Sequence, residues 1–381
     1  AALADPEAGS VLSVAESLTN LVWAPMADGM DSISLSANWM WPCRAQEGED
    51  ARLYKAVKAL SDFCCELQIN VPTGKDSLSM TQKYHDGKKI IAPGTVIVSS
   101  GGEVSDIRKV VSPVIKNMAG SRLYYIDFSF DKLQLGGSAF AQSQGKVGSD
   151  VPTVKNAEYF RDAFMAIQQL VNGGLVLAGH DISAGGIITT LLEMCFANTK
   201  GGLDLCFDKI QEADIVKILF AENPGVVIQV SDANAPRAKK ILEDAGVAYA
   251  KIGKPAEGRE ITIHKNISNA QVPNAKIADR DMVFTFDIDA LRDVWYSTSY
   301  LLDRRQSFNG KADERYANYK NIPVEWTVSG EPLTKTPRPE GRRPVAAIIR
   351  EKGTNSEREM AWSFYMAGFD VKDVTMTDLI T

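Results

Sequence analysis

The stretch whose reading decides the fold is Leu175-Val176-Leu177-Ala178-Gly179-His180-Asp181-Ile182-Ser183-Ala184-Gly185-Gly186, with a second apolar run, Ile187 to Met194, directly behind it. The first apolar residues predict a buried strand, the glycines a tight turn, and the second run a helix. A strand that enters a helix through glycines is the pattern of a ligand turn. Glycine lets the backbone approach a phosphate, and the helix N-terminus favours negative charge. Asp181 cannot itself welcome a phosphate, because like charges repel. A divalent cation between them removes the conflict, since hard cations take carboxylate oxygens. The same residues read equally well as a plain strand-to-helix turn with Asp181 as its N-cap.

Around this turn the chain has 381 residues, enough for about two to three domains with real cores. Its 45% hydrophobic and 24% charged residues are those of an ordinary soluble globular protein. A net charge of -6 argues against a nucleic-acid partner, which calls for a basic face. No apolar stretch reaches membrane-spanning length, and the N-terminal residues lack a basic segment followed by an apolar core, so no membrane partner is expected. The five cysteines (Cys43, Cys64, Cys65, Cys195 and Cys206) include no Cys-x-x-Cys spacing, which predicts reduced thiols in a cytoplasmic protein. Only three histidines, His85, His180 and His264, are present, so a histidine-rich metal site is not expected. There is no initiator Met, and Asp378-Leu379-Ile380-Thr381 falls where a new α/β unit is opening. The chain therefore reads as an internal piece of something longer.

Periodicity predicts helices over Val11 to Trp23 and Asp50 to Leu67, then a short strand Ile69 to Pro72 entering a Gly74-Lys75-Asp76-Ser77 turn. Thr95 to Ser99 reads as a β-branched strand. A second domain opens near Leu123. It continues with a helix Ala157 to Val171, the Asp181 turn, a strand Val226 to Val230, a helix Ala235 to Ala245 and a strand Ala248 to Ile252. From Asp287 a polar helix begins at Leu291 and leads into a stretch carrying Pro323, Pro332, Pro337 and Pro339, read as a partly helical linker. Beyond it, a strand Val345 to Ile349, a helix Glu357 to Ala367 and a strand Phe369 to Val374 form one βαβ unit. Alternating strands and helices predict α+β and α/β layers, with boundaries at 1–115, 116–286, 287–342 and 343–381.

Three constellations carry candidate chemistry. Glu16 and Asn20 lie four residues apart and share a helix face, where a carboxylate and an amide oxygen can chelate one hard cation. On spacing alone a solvated polar stripe is the favoured reading. If Asp181 came within ~4 Å of Glu16, repulsion of about 4 kcal/mol at an effective dielectric of 20 would call for a cation. In Gly74-Lys75-Asp76-Ser77-Leu78-Ser79-Met80, Lys75 could meet a phosphate, Asp76 a cation and Ser77 or Ser79 a substrate oxygen; a surface turn with an internal ion pair is the other reading. Leu135-Gly136-Gly137-Ser138 and Phe220-Ala221-Glu222-Asn223-Pro224-Gly225 are weaker turn motifs. Glu222 reads as a ligand to a sugar hydroxyl or ammonium, or as a loop carboxylate.

Taken together, these stretches resemble the formylglycinamide ribonucleotide amidotransferase family in its large single-chain form. The resemblance rests on Ala15 to Asn20, Leu35 to Met40, Gly48-Glu49-Asp50-Ala51, Val71 to Met80, Leu135 to Gln142, Gly179 to Gly186, Trp295 to Tyr300, Arg350 to Asn355 and Arg358 to Ala361, in that order. It implies an aminoimidazole-ribonucleotide-synthetase-like two-domain half with mixed sheets and packed helices, followed by the first βαβ unit of a class I glutaminase domain. It also implies a reaction in which ATP, glutamine and formylglycinamide ribonucleotide give the amidine, glutamate, ADP and phosphate. ATP would phosphorylate the formamide oxygen, and ammonia would displace that phosphate.

Carried over residue by residue, the resemblance makes Glu16, Asn20 and Asp181 ligands of magnesium, and Ser183 a contact of the bound ATP or ADP. A further family acid would precede Ala1. It implies that the nucleotide of this half is structural, with Lys75, Asp76 and Ser77 reaching toward the substrate site of a first synthetase half that is missing here. Ala184 stands where relatives often carry Asp. The glutaminase cysteine, histidine and glutamate would lie beyond Thr381, so no catalytic residue is assigned and the chain alone is expected to be inactive. Two other readings remain: another ATP enzyme of the same superfamily, and a non-catalytic scaffold that binds ADP and magnesium.

Overall fold

The computed structural model describes residues 2–267, 280–321 and 341–380. The chain divides into two compact units, Ala1–Gln306 and Ser307–Thr381.

The first unit opens with α1 (Pro6–Leu21), β1 (Ile33–Met40), α2 (Glu49–Leu67), β2 (Asn70–Ser77), a small hairpin β3 (Thr81–Lys83) and β4 (Lys89–Ile91), and β5 (Thr95–Gly102). Asp5 starts α1 because its carboxylate accepts the Glu7 and Ala8 amides, and Pro6 needs no partner at the first helical position. β1 is the centre of a three-stranded sheet, parallel to β2 and antiparallel to β5. Its alternation sends Ile33, Leu35 and Ala37 into the core.

The Lys75-Asp76-Ser77 stretch corrects the sequence reading. It is not a turn but the end of β2, with Lys75 opposite Asn38, Asp76 opposite Trp39 and Ser77 opposite Met40. The glycine before it marks a close backbone approach. A Cβ at Gly74 would fall 2.4 Å from the Ala37 carbonyl oxygen. Charges on an exposed edge strand are an ordinary way of blunting it. Strand β1 itself, with alternating serines that hide its apolar face, is absent from the sequence reading.

The unit continues through β6 (Ser121–Asp127), α3 (Ala139–Ser143), α4 (Ala157–Asn172), β7 (Val176–Asp181), α5 (Gly186–Phe196), β8 (Gly201–Cys206), α6 (Ile215–Phe220), β9 (Gly225–Ser231), α7 (Ala235–Asp244), β10 (Tyr249–Glu257), β11 (Glu260–Ile267), β12 (Arg280–Asp287) and α8 (Ile288–Gln306). The strands form one seven-stranded sheet in the order β12-β11-β8-β10-β6-β9-β7. All its neighbours run antiparallel except β8 and β11. β9 shows how the sheet is loaded. Val226, Ile228 and Val230 join a core with α1 and α4, while Val227 joins a second core with α5 and α6. Gln229, fully buried, is satisfied by Lys116 and Ser121.

α4 follows the same logic. Asn156 caps it, and Phe160, Ala163, Phe164, Ile167 and Val171 line its buried face at helical spacing. The expected linker begins differently from its proline-rich part, because α8 lies against α5, with Trp295 on Phe196 at 5.4 Å between ring centres. Pro323, Pro332, Pro337 and Pro339 lie outside the described residues.

The second unit contains α9 (Lys311–Asn318), β13 (Val345–Arg350), α10 (Glu357–Met366), β14 (Asp370–Thr375) and α11 (Met376–Ile380). β13 and β14 pair in parallel around α10, as a βαβ unit requires, and Arg350 grips Asp373 across the pair at 2.8 Å. Among the described residues no helix is long and apolar enough to cross a membrane.

Candidate functional site

Beyond the C-terminal end of β7 lies a cleft of about 320 Å³ in the first unit. Its walls are Gly9, Ser13 and Glu16 of α1, the Pro93–Thr95 turn, Ile182–Ala184 after β7, Gln142 and Glu222. The backbone explains this convergence. β7 ends at Asp181, the chain turns through Ile182 to Gly185, and α5 starts at Gly186. Gly185 and Gly186 have φ of +92° and +74°, and a Cβ on Gly186 would lie 2.5 Å from the Leu219 carbonyl oxygen. Asp181 is therefore not the N-cap of α5. That position belongs to Gly185, four residues later.

Glu222 was the weakest of the sequence candidates, yet it organises the site. Its Oε1 accepts the Gly185 amide at 2.8 Å and the Ala139 amide at 2.7 Å, joining the turn after β7 to the glycine turn before α3. Neighbouring Asn223, almost fully buried, accepts the Gln134 amide and donates to the Lys132 carbonyl oxygen. The only sequence signal for this pair was a polar dipeptide between an apolar helix and a Pro-Gly turn.

Glu16 faces the cleft. Burial of its carboxylate by surrounding protein atoms, then the charges of Asp181 and Glu222, push its pKa above the ordinary carboxylate value. Asp181 sits behind the cleft wall, only 5% exposed. Its backbone carbonyl accepts the Thr190 hydroxyl at 2.9 Å, and its Oδ1 lies 3.3 Å from His180 Nδ1. His180 Nε2 lies 3.4 Å from Glu193 Oε2. Burial pulls the imidazole down, but these two carboxylates outweigh it and raise its pKa to about 9. Sequence reading left His180 and Glu193 without a role, although a His-Asp pair at a strand end was the available signal.

The cleft thus brings Glu16 and Ser183 together, with Asp181 behind them. Asn20 is not among its lining residues; its side-chain amide donates to the Glu16 carbonyl oxygen at 2.8 Å. Lys75 and Asp76 line a different groove with Ala37, Leu60 and Cys64, and Lys75 Nζ donates to Ser77 Oγ at 3.3 Å. Among the described residues no three His, Cys, Asp or Glu side chains stand close enough to hold a metal. The donor set nevertheless fits a hard cation. Glu16 and Asp181 supply only oxygens, and burial, then the charges of Asp181 and Glu222, raise the Glu16 pKa.

Comparison with known proteins matches three stretches of the chain to family models. Residues 1–103 match a FGAR-AT PurM_N-like domain, residues 119–266 the C-terminal domain of AIR synthase related proteins, and residues 343–381 a CobB/CobQ-like glutamine amidotransferase domain. The chain is 35% identical over 385 residues to a probable phosphoribosylformylglycinamidine synthase of Arabidopsis thaliana, covering 99% of this chain and 26% of that protein. It is 35% identical over 383 residues to the Homo sapiens phosphoribosylformylglycinamidine synthase, covering 99% of this chain and 27% of the relative. The chain therefore spans about a quarter of the length of these curated relatives. Among solved structures, T. maritima PurL complexed with FGAR aligns with a TM-score of 0.57 at 13% identity, over 76% of this chain and 44% of that one. The same enzyme complexed with ATP aligns at 0.52 and 13%, over 76% and 42%. These alignments show a shared fold of the aminoimidazole-ribonucleotide-synthetase type. Over nearly its whole length the chain is similar to one segment of the formylglycinamide ribonucleotide amidotransferases, whose domain types it carries in order.

Proposed function

We propose that this chain is the nucleotide-holding part of an ATP-dependent ligase of de novo purine biosynthesis. The parent reaction converts formylglycinamide ribonucleotide, glutamine and ATP to formylglycinamidine ribonucleotide, glutamate, ADP and phosphate. The observation that carries the reading is a cleft lined by Glu16, Ser183 and Glu222 at a glycine turn before a helix, with Asp181 ending the preceding strand, in a chain similar throughout to such ligases. Its domains divide at 1–115, 116–286, 287–342 and 343–381. Its partners are the remainder of the synthetase and of the glutaminase, and its compartment is the cytoplasm, consistent with five free cysteines.

Glu16, Asp181 and the amide oxygen of Asn20, whose nitrogen donates to the Glu16 carbonyl, are the residues that would hold magnesium. Magnesium held there would supply positive charge to offset that of these carboxylates and of nucleotide phosphates. Ser183 offers a hydroxyl at the cleft wall, and the Gly185–Gly186 turn lets backbone come close to an anion. Glu222 holds that turn and the Ala139 turn in register.

We assign the nucleotide a structural role as well, because the walls of the cleft come from separate parts of the unit. Glu16 belongs to α1, which packs against β5 of the three-stranded sheet and β7 of the seven-stranded one, while Asp181 and Glu222 belong to the seven-stranded-sheet part. A ligand held by both fastens the two parts together. The test is thermal unfolding of the chain with ADP and magnesium, alone and together. Stabilisation of about 2.7 kcal/mol is expected at a hundredfold excess over the dissociation constant. No shift with both present, or an equal shift for Asp181→Asn, overturns the reading.

A further inference from the structure

The cleft explains Glu16, Asp181 and Glu222 but leaves Trp295 unused, although it opens one of the stretches singled out in the sequence. Trp295 lies on α8 and donates its indole N–H to Glu193 Oε1 at 2.9 Å. Glu193 Oε2 is 3.4 Å from His180 Nε2. His180 Nδ1 in turn lies 3.3 Å from Asp181 Oδ1 and 2.9 Å from the Asp181 carbonyl oxygen. We propose that Glu193 and Trp295 are positioning residues for the Asp181 carboxylate, acting through His180. This rests on the nucleotide-site reading given above.

The argument is geometric. α5 grips Asp181 twice: Thr190 takes its backbone carbonyl, and Glu193, one turn further on, holds the imidazole that faces its side chain. Both ring nitrogens of His180 face oxygen atoms, so the ring cannot rotate without losing a partner on each side. The Asp181 and His180 side chains keep 7% and 22% of their exposure, so water does not replace those partners cheaply. Trp295 fixes Glu193 in turn, and its ring rests on Phe196, so one α8 residue touches α5 at two positions three apart. The charge of Asp181 stands close enough to Glu16 to help raise its pKa, so the two carboxylates repel. A carboxylate kept in place against that repulsion is ready for a cation. Side chains that orient ligands from behind typically change metal affinity about 10–100-fold when removed.

The experiment is calorimetry of ADP binding to the full chain over a magnesium series, with the unliganded melting temperature measured alongside. Trp295→Phe keeps the ring on Phe196 and removes only the N–H. Glu193→Gln keeps an acceptor for Trp295 and replaces the acceptor facing His180 by an amide that can carry N–H. His180→Asn keeps a short polar group beside Asp181 and loses the reach to Glu193. Each is expected to raise the half-saturating magnesium concentration about tenfold, within the range just cited, with metal-free ADP binding unchanged. Trp295→Phe added to His180→Asn is expected to do nothing more, because the link is already cut.

The proposal is overturned if Trp295→Phe and Glu193→Gln lower the melting temperature but leave the magnesium requirement untouched, or if the double variant is additive. Asp181→Asn separates the two levels. If it leaves the magnesium requirement at the parental value, the site reading itself fails. If it abolishes the requirement while Trp295→Phe is silent, only the positioning role fails.

Discussion

Glu16 and Glu222 are two carboxylates in one cleft that do opposite work. Glu16 is held above its ordinary pKa by burial and by its acidic neighbours, so its charge costs the unliganded fold something. Glu16→Gln is expected to raise the melting temperature of the ligand-free chain slightly, and to remove the added stability from ADP with magnesium. Calorimetric unfolding with and without ligand reads both effects. Glu222 spends its charge on two amides, so Glu222→Ala is expected to cost about 1–3 kcal/mol in urea unfolding, with Glu222→Gln recovering part of it. These opposite signs follow from partners rather than residue type. That is why the sequence alone ranked Glu16 above Glu222: helical spacing revealed one, and nothing local revealed that two distant turns converge on the other.

Among the elements, β7 shows what a packed strand demands. Gly179 faces Trp23, and a Cβ there would lie 2.0 Å from the ring. Gly179→Ala is expected to cost about 1–3 kcal/mol through overpacking, measurable by denaturant unfolding, and Trp23→Leu in the same chain should recover part of that loss. Strongly periodic elements were legible in advance: α2, α4, α7, β9 and the β13-α10-β14 unit lie close to where apolar spacing put them. β1 was not, because its serines alternate with a short apolar set and the strand shows only when paired on both sides. The end of β2 was misread because Gly-Lys-Asp-Ser has turn composition, whereas a pairing with β1, invisible locally, makes it a strand. The site followed the same rule. Asp181 was legible as the end of a buried run, while its hold by His180 and Glu193 required α5 to fold back alongside β7.

At the scale of the molecule, Arg259 ties the far side of the large sheet together. It donates to the carbonyls of Cys195, Asn198 and Gly201 and pairs with Asp289 at the start of α8. The Arg259 hydrogen bond lowers the Asp289 pKa, so this pair stabilises the fold above the ordinary carboxylate range and the gain is lost as pH falls through the lowered value. Asp289→Asn is expected to lower the melting temperature at pH 7 and to converge on the parent as pH falls through the lowered Asp289 value. The Asp289 side chain is 46% exposed, so the difference should stay below about 1 kcal/mol. The joint at Glu222 has a consequence of a different kind, in time. Because one carboxylate oxygen receives both the Ala139 and Gly185 amides, neither hydrogen can meet solvent deuterium without releasing that shared acceptor. The two amides, 46 positions apart by their numbers, should exchange as a pair, at rates that change together under any substitution at Glu222.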